Sequence, residues 1–105
     1  MQSAYAESFE RMMTCSVADW ARLLPPAIGK HAFVLADGAA TIQLAAASTP
    51  SRVSLCIRWR EAPERRIALV RLPQLKVSFQ FENANATERL VFMQRFDLFM
   101  QRGGG

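Results

Sequence analysis

Residues 85–102 read NATERLVFMQRFDLFMQR and are followed by Gly103-Gly104-Gly105; the reading of this stretch decides the fold. The block Phe92-Met93-Gln94-Arg95 returns seven residues later as Phe99-Met100-Gln101-Arg102, so the same groups fall on one helical face. At about 100° per residue, Phe92, Met93, Phe96, Phe99 and Met100 share an arc of roughly 120°. Asn85 with Glu88 three residues on is a helix start signal: the Asn side chain accepts a free amide hydrogen and the carboxylate favours the positive helix end. Gly103 can take the left-handed conformation that ends a helix. Five bulky side chains on one face need a broad partner, and a β-sheet supplies it.

The strands precede that helix. In 75–82, Leu75, Val77, Phe79 and Phe81 alternate with Lys76, Ser78, Gln80 and Glu82, the period of a strand with one buried face. Arg66–Leu72, RIALVRL, is mostly apolar and reads as a strand near the sheet centre. Pro73 removes a ladder donor, which predicts a bulge or a break. Arg52–Glu61 places Val53, Leu55, Ile57 and Trp59 against Arg52, Ser54, Cys56, Arg58 and Arg60, and Ala62-Pro63-Glu64 reads as a turn. Further back, His31–Leu35 and Thr41–Ala46 flank Asp37-Gly38, a dipeptide suited to a tight hairpin with positive φ. Ser48-Thr49-Pro50-Ser51 is a loop.

At the N-terminus residues 1–8 are expected to be loose, as is the glycine tail 103–105. Phe9–Cys15 carries both periods: Phe9, Arg11, Met13 and Cys15 alternate as a strand, whereas Tyr5, Phe9, Met12 and Met13 make a helical stripe. The strand is preferred because Ser16 starts a new element. Ser16-Val17-Ala18-Asp19 has the Ser-x-x-acid form of a helix N-terminus. That helix presents Trp20, Leu23, Leu24 and Ala27, and either stops at Pro25-Pro26 or continues to Ile28-Gly29. The order is read as β-α-β-β-β-β-α. This is an α+β domain with a curved antiparallel sheet and both helices on its one apolar face.

One domain spans residues 1–105, which is enough for a single core. Half the residues are hydrophobic and a fifth are charged, a globular balance that excludes disorder. No apolar run reaches the roughly 18 residues of a membrane span, and MQSAYAESFER lacks the features of a secretory signal. Cys15 and Cys56 fit a reduced, cytoplasmic pair of thiols better than a disulfide. Asn85-Ala86-Thr87 reads as the helix cap rather than as a glycosylation site. The formal charge is +4, and eleven of the thirteen basic residues are arginine; no basic run exceeds Arg65-Arg66, so the plain reading is a soluble surface.

The element order resembles TATA-binding-protein-like domains and, more loosely, helix-grip folds, in which a curved antiparallel sheet holds a long C-terminal helix. That likeness implies a topology and no activity. The ending RFDLFMQRGGG, with LVRLPQLKVSFQF upstream, is similar to small uncharacterised bacterial proteins that close on an aromatic-rich helix and a Gln-Arg-Gly-Gly-Gly tail. It covers about half the chain and implies a bacterial cytoplasmic protein without catalytic residues.

An enzyme is the less favoured reading, and no cofactor or metal is expected. His31 is the only histidine; it and two scattered cysteines form neither a nucleophile–base device nor a ligand cluster. Asp97, at the edge of the apolar arc, is expected to meet Arg95, Arg102 or an arginine of a nearby strand. The long helix offers a small apolar ligand a pocket built from Phe92, Met93, Phe96 and Met100, with Arg89 as a possible anion contact, although core filling is the plainer role of each. Val91 and Leu98 on its back call for a second partner: either the first helix or another subunit, making a homo-oligomer. Arg52, Arg58, Arg60 and Lys76 give the sheet a basic face; nucleic-acid binding through it is the alternative reading, disfavoured because no aromatics are interleaved. Membrane attachment is disfavoured because the core needs the amphipathic helix. The expectation is a non-enzymatic binding or interaction domain that self-associates.

Overall fold

The structure, a computed structural model, describes residues 4–44 and 52–103. Its elements are β1 (Ser8–Met13), α1 (Val17–Ile28), β2 (Phe33–Ala36), β3 (Ala39–Gln43), β4 (Ser54–Ile67), β5 (Val70–Glu82) and α2 (Ala86–Gly103). The five strands form one antiparallel sheet in the order β1-β5-β4-β3-β2. This is the expected α+β order. The segment 8–13 is a strand: Phe9, Arg11 and Met13 are half-buried while Ser8, Glu10 and Met12 are exposed. The loop expected at 48–51, the end of the strand expected over 41–46 and Gly104-Gly105 lie outside the described residues.

Both helix starts form as the sequence predicts. Ser16 Oγ accepts from the Asp19 amide at 3.1 Å. Asn85 and Glu88 make a reciprocal box, the Asn85 amide donating to Glu88 Oε1 at 2.9 Å and the Glu88 amide to Asn85 Oδ1 at 2.8 Å, so two otherwise free donors are satisfied. α1 runs through Pro25-Pro26 to Ile28. Each proline removes a helical hydrogen bond, but Ala27 and Ile28 beyond them are fully buried, and that packing holds the last turn in place.

The core lies between the helices and one sheet face. Ile42, Leu55, Ile57, Val77 and Phe79 from the sheet meet Trp20, Leu24, Met93 and Phe96 from the helices. Phe96 is the centre: its ring lies 5.7 Å from Phe79, 5.8 Å from Phe92 and 6.3 Å from Trp20. Trp59 reaches Trp20 at 5.8 Å on the same side.

The structure departs from expectation between residues 62 and 72. Ala62-Pro63-Glu64 is no turn; β4 continues to Ile67 and the chain reverses at Ala68-Leu69. The register shifts between Ala62, opposite Gln74, and Arg65, opposite Leu72, so Pro63-Glu64 face Pro73 alone. The bulge expected at Pro73 therefore sits across the ladder from a second proline. Gathering both residues without an N–H at one irregularity confines the lost hydrogen bonds to a single place. Consequently RIALVRL is not a central strand but the end of a long hairpin, apolar and exposed.

The N-terminal segment is also held more firmly than its composition suggests. Tyr5 is buried, and Glu7 O accepts from the Phe81 amide at 2.7 Å.

Candidate functional site

A cavity of about 430 Å³ opens where the end of α1 meets the first half of α2. Ala27, Ile28, Leu44, Val91 and Phe92 supply apolar wall; Lys30, His31 and Arg95 bring polar nitrogen to it, and Glu88 and Thr87 complete it. The local sequence explains this arrangement. α1 ends at Gly29, whose φ of 76° is ready for glycine and strained for other residues. That turn sets an exposed Lys30 and a half-buried His31 beside the helix end. A Cβ at Gly29 would lie 3.0 Å from Arg95 Nη2, so the missing side chain also admits the guanidinium, which meets the negative end of α1.

Charge at this cavity is basic. Lys30 and Arg95 outnumber the one carboxylate of the lining, Glu88, which accepts from the Asn85 amide. Burial, then Lys30 and Arg95, hold His31 below its ordinary pKa, so at neutral pH the imidazole is uncharged and both donates and accepts. Its ring lies 5.7 Å from Phe92. An apolar wall with a few convergent polar groups is the usual composition of a small-molecule site, and the volume is within the usual range.

Of the five residues expected to form a pocket, only Phe92 lines this cavity. Met93 and Phe96 are fully buried and Met100 is nearly so; they fill the core. Arg89 donates from Nε to Tyr5 O at 2.8 Å and from Nη1 to Ala84 O at 2.7 Å, which ties the N-terminal segment to the start of α2. Val91 belongs to the cavity wall and is 63% exposed, and Leu98 is half-exposed, so α1 does not cover the back of α2. On the far side of the sheet Arg52, Arg58 and Arg60 are exposed. Lys76 there is shared with Glu10, Nζ to Oε1 3.5 Å, and the nearby hollow is only about 110 Å³.

A second polar cluster was visible in the sequence only as Asp97 beside the apolar arc. Arg11 on β1 and Asp97 on α2 pair through two parallel hydrogen bonds, Nη1 to Oδ1 at 2.5 Å and Nη2 to Oδ2 at 2.9 Å, and the Tyr5 hydroxyl donates to Oδ2 at 2.5 Å. The guanidinium also lies over the Phe79 and Phe9 rings, 5.3 and 5.4 Å from their centroids. Burial first, and then the Asp97 hydrogen bond, raise the Tyr5 pKa; a phenol held protonated cannot act as a base. Burial, then Asp19, also raise the Cys15 pKa, the opposite of nucleophile activation. The two cysteines are free thiols. Among the described residues no His, Cys, Asp or Glu group could hold a metal ion, and no helix is long and apolar enough to cross a membrane.

No protein family, curated protein or solved structure matches the chain.

Proposed function

We propose that this protein is a non-enzymatic binding domain whose cavity takes a small amphipathic anion, an apolar body carrying one carboxylate- or sulfonate-like group. The observation that carries this reading is the 430 Å³ space with aliphatic and aromatic wall and with Lys30, His31 and Arg95 at its polar side. The apolar body packs on Ile28, Leu44, Val91 and Phe92, and the anionic head meets Lys30 and Arg95, with His31 donating a hydrogen bond. The Tyr5 phenol and the Cys15 thiol are held toward their protonated forms, so neither is poised as a base or a nucleophile, which favours binding over catalysis.

The test is fluorescence titration with anilinonaphthalene sulfonate, with decanoate as competitor. Val91→Trp, which fills the cavity, should abolish saturable binding, and Lys30→Glu should weaken it on the order of tenfold, the cost of one charge-assisted hydrogen bond. Equal binding by the wild type and both variants would sink the proposal. Native mass spectrometry gives an independent reading: excess mass lost on denaturation reports a carried ligand. A dimer mass would instead favour self-association through Val91 and Leu98, the form of the binding-domain reading in which α2 presents its back to a second copy.

A further inference from the structure

In the sheet ladders, β4 beyond Arg58 and β5 before Leu75 pair only with each other among the described residues. Gln74, opposite Ala62, is still buried and donates to Thr14 Oγ1 at 3.0 Å, so the free arm runs from Pro63 to the turn, roughly 16 Å at about 3.3 Å per residue. The molecule is correspondingly elongated, 53 Å against 29 and 22 Å. At the tip Leu69 is 100% exposed and Ile67 and Val70 are half-exposed. Ala68 holds φ at 54°, where Gly or Asn is favoured. Two turn positions that ordinarily take polar or glycine residues thus carry Ala and Leu, at a cost in turn stability.

Directly behind the tip sits positive charge. Arg66 and Arg71 are cross-strand partners, and Arg65 stands one rung further back opposite Leu72. All three are exposed, and among the described residues none has an ion-pair partner within the chain. Like charges directly opposite are destabilising, so the arrangement calls for an external anion. The arm's long edges are protected against strand addition, with Pro63 on one, Pro73 on the other and a bulge between them. The tip is left as the contact element.

We infer that this arm docks on an anionic membrane surface: Ile67, Leu69 and Val70 enter the interfacial layer while Arg65, Arg66 and Arg71 pair with the headgroups. An apolar tip backed by a basic collar matches the order of layers in an anionic bilayer. A second copy fits poorly, because tip-to-tip contact would oppose three arginines to three, and the cavity at α2 is itself basic. Nucleic acid fits less well, because tracking phosphates needs continuous basic charge along the ribbon, and Glu61 and Glu64 interrupt it between Arg60 and Arg65. The amphipathic helix α2 stays in the core throughout.

The experiment is flotation of the full chain with phosphatidylcholine vesicles, with and without phosphatidylserine, alongside titration with a random-sequence DNA duplex. Binding is expected only with phosphatidylserine, and it should fall as salt rises. Leu69→Asp should weaken binding by on the order of tenfold or more, and each of Arg65→Ser, Arg66→Ser and Arg71→Ser by about fivefold. These positions are exposed, so circular dichroism should show an unchanged fold. In Leu69→Trp, indole emission should shift to the blue on adding anionic vesicles. No binding to anionic vesicles overturns the inference, as does binding that survives Leu69→Asp and the arginine changes. Tighter retention on DNA than on vesicles also overturns it and assigns the arm to nucleic acid.

Discussion

Arg11 is a charge on the buried face of an edge strand, and Asp97 decides whether β1 and α2 stay together. The Arg11 and Asp97 side chains are 22% and 14% exposed, close to the buried regime though not sealed from water. Removing one partner of a buried pair costs about 3–5 kcal/mol; with this residual exposure the lower end applies, so Asp97→Ala and Arg11→Ala should each cost about 2–3 kcal/mol. Replacing both together, as Arg11→Met with Asp97→Leu in a Tyr5→Phe background that also removes the hydroxyl donating to Asp97, removes the desolvated charges without stranding a donor and should lie within about 1 kcal/mol of the Tyr5→Phe parent. The assay is urea unfolding followed by circular dichroism, run as a double-mutant cycle with Arg11→Met and Asp97→Leu also made singly in that background. Total stability of about 5–15 kcal/mol for a domain of this size leaves each variant measurable. A coupling energy of about 2 kcal/mol or more is expected. A value below about 0.5 kcal/mol would refute the reasoning, since the pair would then act as an ordinary surface ion pair and α2 would be held by its Phe/Met face alone.

Other outcomes follow from the same geometry. The Tyr5 phenol has a folded pKa above its ordinary 10.0, so the folded state holds the proton longer; the associated stability is present below pH 10 and is lost as pH rises through the folded value. Tyr5→Phe should flatten that alkaline fall in a melting-temperature series. His31 has the opposite dependence: with its folded pKa below 6.5, it costs no stability above that pH and destabilises as pH falls through the folded value, and His31→Gln should remove that acid-side loss. Phe96→Asp places a carboxylate at a site with no exposure and should abolish cooperative unfolding. Ala68→Gly relieves the positive φ, so amide exchange in the arm should slow about twofold, the net of about 0.5 kcal/mol, while exchange in the core stays unchanged.

Much of the fold was legible because its signals are local. The alternation in 75–82, the arc from Phe92 to Met100 and the caps at Ser16 and Asn85 depend on neighbours a few residues away, and each forms as expected. Asp37-Gly38 turns the chain between β2 and β3, with positive φ at Gly38. The misreading at 62–72 has the same origin: an apolar run looks buried whether or not anything covers it, and only pairing shows that β1 and β3 end before it. The cavity was less legible. Phe92 was marked for it, but Lys30, His31 and Arg95 join it through the approach of α1 to α2, and the local cue was the glycine at 29. Tyr5, Arg11 and Asp97 are separated by up to 92 residues, and no spacing in the chain announces them.

Outside 62–72 the sequence by itself determined where backbone hydrogen bonds close into helices and strands and which face of each is apolar, because both follow from short-range periodicity. Tertiary structure alone decided how far β4 and β5 run past their neighbours, which arginine meets Asp97, and where a cavity is left between two helix ends. Those outcomes depend on which distant segments touch, and a linear pattern of polarity carries no distance between them.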